Sequence, residues 1–158
     1  MGILIRGGRV VDAAAQIDKI ADVYLDDGVI QKVGEKLEAK DKDDKIIDAK
    51  GLVVMPGLVD LHVHFRDPGQ TEKEDIETGS HAAARGGVVA MPNTTPVIDS
   101  PDRANYVKNK AAQVSAIHVL QAGAMTKGEL GEELSDIAGM AAAGVPVLSE
   151  DGKSVMKA

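Results

Sequence analysis

The residues best suited to chemistry lie in one short run. Asp60, His62, His64 and Arg66 occupy every second position of PGLVDLHVHFR, residues 56–66. Side chains on a strand alternate faces with period two. These four therefore share a face with Leu58, and Val59, Leu61, Val63 and Phe65 share the other. The two imidazoles stand about 6.5 Å apart along such a strand, close enough to converge on one metal ion at its end. A His-x-His pair can also be two ordinary strand histidines. Here Asp60 and Arg66 would add uncompensated charge to an interior face, which is costly. A metal and an anionic substrate would relieve that cost, and this favours the metal reading. Two further segments carry weaker signals. Asn93, in MPNTTP at residues 91–96, either makes a turn or presents its amide at the same rim as His64 and Arg66. Asp151, in LSEDG at residues 148–152, either makes a tight turn with Gly152 or offers a hard oxygen ligand suited to zinc.

The elements that must position these groups fall into two stretches. Residues 1–55 read as a small β module. Gly7-Gly8 and Asp26-Asp27-Gly28 are hairpin-type turn signals between apolar runs. Lys50-Gly51 marks a third strand pair, residues 46–48 with 52–54. Residues 35–45 are strongly charged and read as a solvated loop. From Pro56-Gly57 the pattern changes to alternating strands and helices, the signature of parallel βα units. Strands are expected at 58–65, 88–91, 116–121 and 145–148. The first helix has Thr71 and Glu74 spaced as a capping box and Gly86-Gly87 as its stop. The second is capped by Ser100 with Pro101 at its first position. The third covers about 130–143. Four such strands form either a small open sheet or half of an eight-stranded barrel, whose C-terminal strand ends carry the catalytic groups.

Composition narrows the function classes. The 158 residues are 44% apolar and 27% charged, with net charge -7. That balance argues against nucleic acid, which needs clustered Lys and Arg. Phe65, Tyr24 and Tyr106 are the only aromatics, too few for base-stacking platforms. Cysteine is absent, so a metal must be held by His, Asp or Glu. No apolar run approaches the ~20 residues of a membrane span, and the N-terminus does not read as a signal peptide. A cytoplasmic location without a membrane partner is expected. His81 and His118 fall in a helix and near a strand start, and are read as structural.

Together, PGLVDLHVHFRDPG (56–69), KEDIETGSHAAARGG (73–87), MPNTTPVID (91–99) and SEDGKSVM (149–156) resemble the amidohydrolase superfamily. Within it they are similar to the bacterial dihydroorotases that use an aspartate on the fourth strand. The resemblance implies an α/β fold: the first half of a TIM-type (β/α)8 barrel (residues 56–158), preceded by a small β-sandwich module (residues 1–55). It implies one or two zinc ions held by His62, His64 and Asp151. Asp151 takes the place that a carboxylated lysine holds in hydantoinases. Arg66 and Asn93 are implied as ligands of a substrate α-carboxylate, consistent with the planar fork that Arg offers a carboxylate. The implied reaction interconverts N-carbamoyl-L-aspartate and L-dihydroorotate in pyrimidine biosynthesis. Allantoinase or dihydropyrimidinase activity is the alternative, less suited to Arg66 and Asn93. A non-catalytic partner of aspartate transcarbamoylase is another, disfavoured by retention of the His pair.

The sequence departs from that family in two places. Family members carry about three more residues between Gly87 and Val88, a gap that shortens the start of the second barrel strand. The family's chains are also more than twice as long. Two further histidine ligands and the proton-shuttling aspartate are expected beyond residue 158. The chain therefore reads as a truncated piece, inactive alone. Its open strand edges suit the missing C-terminal half, a second copy or aspartate transcarbamoylase as partner.

Overall fold

The computed structural model describes residues 1–93 and 97–157, and only the backbone of 88–93. The chain is α/β. It divides into two compact units, Met1–Pro56 and Gly57–Ala158. Among the described residues no helix is long and apolar enough to cross a membrane.

The first unit is one five-stranded sheet. Strand β1 (Ile3–Asp12) runs antiparallel to β2 (Ile17–Asp26), and β2 antiparallel to β3 (Val29–Gly34). Asp27 and Gly28, at φ 52° and 71°, form the turn between β2 and β3. A type I′ hairpin requires two such positive angles. Strands β4 (Lys45–Asp48) and β5 (Val53–Val54) both lie parallel to β1.

Two expectations are corrected here. Gly7-Gly8 does not reverse the chain: β1 passes through it with a register slip between Ile5 and Gly8, and the reversal comes at residues 13–16. A Gly-Gly pair serves a bulge as readily as a turn. Lys50-Gly51 closes no hairpin either. β4 pairs with the start of β1 and β5 with residues beyond the slip. Between them the Ala49 N–H donates to the Arg6 carbonyl at 2.8 Å and the Arg9 N–H to the Leu52 carbonyl at 2.9 Å.

The charged stretch before β4 is more than a solvated loop. The Asp44 carboxylate accepts the N–H groups of Gly2 at 2.7 Å and of Lys40 and Asp41 at 3.0 Å. It also accepts the Tyr24 hydroxyl at 2.9 Å. These donors, the Asp41 N–H foremost, hold the Asp44 pKa down at about 2. Burial, then the Asp44 bond and charge, push Tyr24 up to about 12.

The second unit has a parallel sheet in the order β6 (Leu58–Val59), β7 (Val88–Asn93), β8 (His118–Ala124), β9 (Val147–Ser149). Helices α1 (Ile76–Arg85), α2 (Pro101–Val114) and α3 (Ile137–Ala142) alternate with the strands. The element order follows the sequence expectation, but several boundaries do not. The first strand is two residues long rather than eight, with Leu61 left 79% exposed. Helix α1 is capped by Asp75, whose carboxylate accepts the Thr78 N–H at 2.8 Å, so the Thr71–Glu74 box is not the start. Ser100 precedes α2 as expected but makes no side-chain capping bond. The third helix shrinks to six residues capped by Asp136, because Gly128 and Gly131 sit at positive φ ahead of it.

One apolar core holds this unit together. Phe65, Ile76, Ile98, Val107 and Met140 are almost fully buried in it. Helix α1 contributes the i, i+3, i+4, i+7 stripe Ile76, Gly79, Ser80 and Ala83. Gly79 is required by close approach: a Cβ there would lie 2.4 Å from Phe65 Cδ1.

Two outcomes are expected from these contacts. Gly79→Ala should destabilise the second unit by about 1–3 kcal/mol through overpacking against Phe65, measured by urea unfolding. Asp44 has a depressed folded pKa, so its contribution is present above about pH 4 and fades as pH falls toward 2. Asp44→Asn should therefore be less stable than the parent near neutrality, with the gap closing in that window, read from urea midpoints at stepped pH.

Candidate metal centre

The chain leaves β6 after Val59 and turns instead of continuing as a strand. The Asp60 carboxylate accepts the His62 N–H at 2.9 Å, an Asx-type bond that competes with strand pairing. The strict alternation expected for 58–66 is lost, yet both imidazoles still come together. His62 Nε2 and His64 Nε2 lie 3.1 Å apart, with the rings edge to face at 80°.

Asp151 arrives from the other edge of the sheet, two residues after β9. Its Oδ1 is 3.3 Å from His62 Nε2 and its Oδ2 3.2 Å from His64 Nε2. Among the described residues, these three side chains form the one group of His, Asp and Glu whose ligand atoms converge, all within 4.8 Å of one another. A tetrahedral zinc ion with ligand bonds near 2.0–2.1 Å spaces its donors about 3.3 Å apart. The two imidazole nitrogens stand near that spacing, and each lies near it from one carboxylate oxygen, Oδ1 for His62 and Oδ2 for His64. Two imidazole nitrogens and a carboxylate oxygen are also a donor set that zinc accepts. His64 is about one-quarter exposed and His62 about half. Burial foremost, with the charges of Arg66 and His62, pushes the His64 pKa down against the opposing pull of Asp151. A lowered pKa favours neutral imidazole, the form that ligates metal.

Glu150, to which the sequence reading gave no role, supports this arrangement. Its buried carboxylate accepts the N–H of Met125 at 3.0 Å and of Thr126 at 3.1 Å, and a short bond from the Thr126 hydroxyl. The fully buried Thr126 Oγ1 in turn accepts the Gly131 N–H at 2.9 Å. This network fixes the end of β9 to the loop after β8, one residue before Asp151. An acid beside Asp151 was visible in the sequence; that it points inward was not.

The other site residues are placed as follows. Arg66 is half-buried, with φ 60°, close enough for its charge to act on His64. Asn93 ends β7, opposite Gln121 of β8, and its side chain lies outside the described residues, as do residues 94–96 of the same motif. His81 is exposed on α1 and His118 exposed at the start of β8, and neither joins the cluster.

Known proteins share this sequence and fold. A family model described as dihydro-orotase-like matches residues 51–158. The dihydroorotase of Clostridioides difficile (strain 630) is 51% identical over 157 residues, covering 98% of this chain and 37% of the relative. That of Aquifex aeolicus (strain VF5) is 41% identical over 157 residues, again 98% of this chain and 37% of the relative. A D-hydantoinase crystal structure superposes with a TM-score of 0.67 at 30% identity, over 80% of this chain and 28% of that one. The L-hydantoinase (dihydropyrimidinase) from Arthrobacter aurescens gives 0.66 at 25% identity, with the same coverage. The chain thus spans a little over a third of the length of the curated relatives it matches. With the family model covering more than half of its residues, the chain belongs to the dihydro-orotase-like family.

Proposed function

We propose that this chain supplies the first zinc ligands and the carboxylate-recognition residues of a dihydroorotase, which interconverts N-carbamoyl-L-aspartate and L-dihydroorotate in pyrimidine biosynthesis. One observation carries the reading: the imidazoles of His62 and His64 and the carboxylate of Asp151 converge, with one ligand atom from each lying within 4.8 Å of the others. The dihydroorotase names of the relatives supply the substrate class. Zinc, as one ion or two, is the cofactor proposed, and a cytoplasmic location goes with it.

The finer architecture belongs to the same proposal. Residues 1–55 would supply one sheet of a β-sandwich module and residues 56–158 the first four βα units of a TIM-type barrel. The parallel order β6-β7-β8-β9 supports the barrel part, as does the approach of groups from its two outer strands.

His62, His64 and Asp151 would hold the ion, whose Lewis acidity polarises a ring amide carbonyl and lowers the pKa of water towards ~7. Arg66, with Asn93, would hold the free α-carboxylate, fixing the ring relative to the metal face. This reading assigns the proton-shuttling aspartate to the part of the relatives' length that this chain does not span, so the chain by itself is expected to bind metal without turning over substrate. An allantoinase or dihydropyrimidinase reading finds some support in the hydantoinase fold neighbours. Arg66 weighs against it, since those substrates lack the carboxylate. The remaining polypeptide of such an enzyme, a second copy or aspartate transcarbamoylase are the partners this reading proposes.

Zinc or cobalt titration of the purified chain should show one tight site. His62→Ala and His64→Ala should each lose more affinity than the ~10–100-fold typical of a lost supporting partner. Glu150→Ala, which strands two buried N–H groups and a hydroxyl, should fall within that 10–100-fold range. It should also cost about 3 kcal/mol of stability in urea. Equal metal affinity in the parent and both histidine variants would remove the reading. Assays with dihydroorotate, dihydrouracil and allantoin decide the chemistry, and rapid hydrolysis by this chain alone would move the proton shuttle inside it.

A further inference from the structure

Arg66 sits between two buried neighbours of opposite character. Phe65, on one side, is 2% exposed and packs in the apolar core. Asp67, on the other, is a carboxylate with no exposed surface. Its Oδ2 lies 2.6 Å from Lys110 Nζ, and its Oδ1 accepts the Tyr106 hydroxyl at 3.0 Å. Lys110 and Tyr106 stand one turn apart on α2, which is itself seated in the core by Ala104, Val107 and Ala111. Arg66 holds φ 60°, a left-handed value uncommon for a residue with a side chain, and its carbonyl accepts the Gln70 N–H at 2.8 Å. Strained backbone of this kind persists only where its surroundings over-determine it. An apolar anchor before the residue and an ionic anchor after it do that here.

We infer that Asp67, tethered by Lys110 and Tyr106 of α2, is a positioning residue that locks the turn presenting Arg66 beside the His62–His64–Asp151 face. The inference rests on the proposed role of Arg66 as the substrate-carboxylate ligand. A buried carboxylate this close to the site is otherwise costly, and a structural contact alone would be served as well by an apolar residue. Charge-assisted bonds are directional as well as strong, so they fix the turn's orientation where apolar packing would only fill space. Lys110 gains from the pairing too: its pKa is raised, by the bond to Asp67 first.

Hydrogen exchange on the chain itself tests this, with Lys110→Met and Tyr106→Phe as variants that keep most of each stem. Exchange of the Gln70 amide should speed up about tenfold more than that of the β8 amides in Lys110→Met, whose stranded carboxylate also lowers the urea midpoint, and Tyr106→Phe should speed Gln70 exchange with little change in that midpoint. Lys110→Arg should restore the parent rate. Unchanged Gln70 exchange in both variants would overturn the inference, as would a uniform loss of protection across the unit. N-carbamoyl-L-aspartate binding is measured in parallel on the zinc-loaded chain. Affinity should drop roughly tenfold or more in Lys110→Met, with zinc affinity unchanged. If Gln70 responds while Arg66→Ala leaves that affinity at the parent value, the tether stands and the carboxylate reading of Arg66 is what fails.

Discussion

The centre depends on bringing together the two outer strands of a four-stranded sheet. Neighbouring strands lie about 4.8 Å apart, so β6 and β9, three intervals apart, would be separated by about 14 Å in a flat sheet. Yet the imidazoles that follow β6 and the carboxylate that follows β9 approach to 3.2–3.3 Å. Side chains of that length cannot bridge the flat separation, so the strand ends must converge. Twist accumulates in any sheet, but convergence of its edges requires coiling as well. The apolar core of Phe65, Ile76, Ile98, Val107 and Met140 gives the helices something to pack on. Leu58, Leu120 and Leu148 meanwhile remain at least a third exposed on the strands.

Short outer strands make that convergence hard to hold. β6 has two residues and β9 three, too few ladder bonds to fix the groups that follow them. The structure uses side chains instead. After β6 the anchors are Phe65 in the core and Asp67 on α2. After β9 the anchor is Glu150, bonded to Met125 and Thr126 beyond the end of β8. Each anchor is next in sequence to His64, Arg66 or Asp151. A buried carboxylate is a costly way to hold a loop unless every acceptor direction is used. That both loops use one fits a need for fixed orientation more than for bulk stability.

Much of this was legible in the sequence, for reasons that separate cleanly. Element order in the second unit was readable because Gly86-Gly87, Pro101 and Gly144 punctuate apolar runs of distinct period. The pairing of residues 62 and 64 was reachable from their spacing, whereas residue 151 joined them only through the family resemblance, since Asp151-Gly152 by itself reads as a tight turn. What failed was local. The run at 58–66 alternates like a long strand, but Asp60 bonds to the His62 amide and ends the pairing early. Gly7-Gly8 looks like a turn from either side, and only pairing with residues distant in sequence makes it a bulge. Asp67, Lys110, Tyr106, Glu150 and Thr126 gave no signal because their value lies in contacts across 24 to 43 positions, which no window on one sequence contains.

The chain carries -7 overall, and Glu129, Glu150 and Asp151 lie near one another at the end of β9. Burial first, and then the charge of Glu150, pushes the Glu129 carboxyl above its ordinary pKa, which is how crowded acids register their repulsion. Such a neighbourhood draws a divalent cation and repels the carboxylate substrate proposed above. Screening limits the reach of the distant charges to about 8 Å at physiological salt, so the balance is set within the site. On the proposed reading, the favourable charges there would be those of a bound cation and of Arg66. Binding an acid substrate would then require Arg66 to be kept where its charge acts, a stricter demand than having an arginine nearby. A buried ion pair on the following residue serves that demand by holding the backbone from which Arg66 extends.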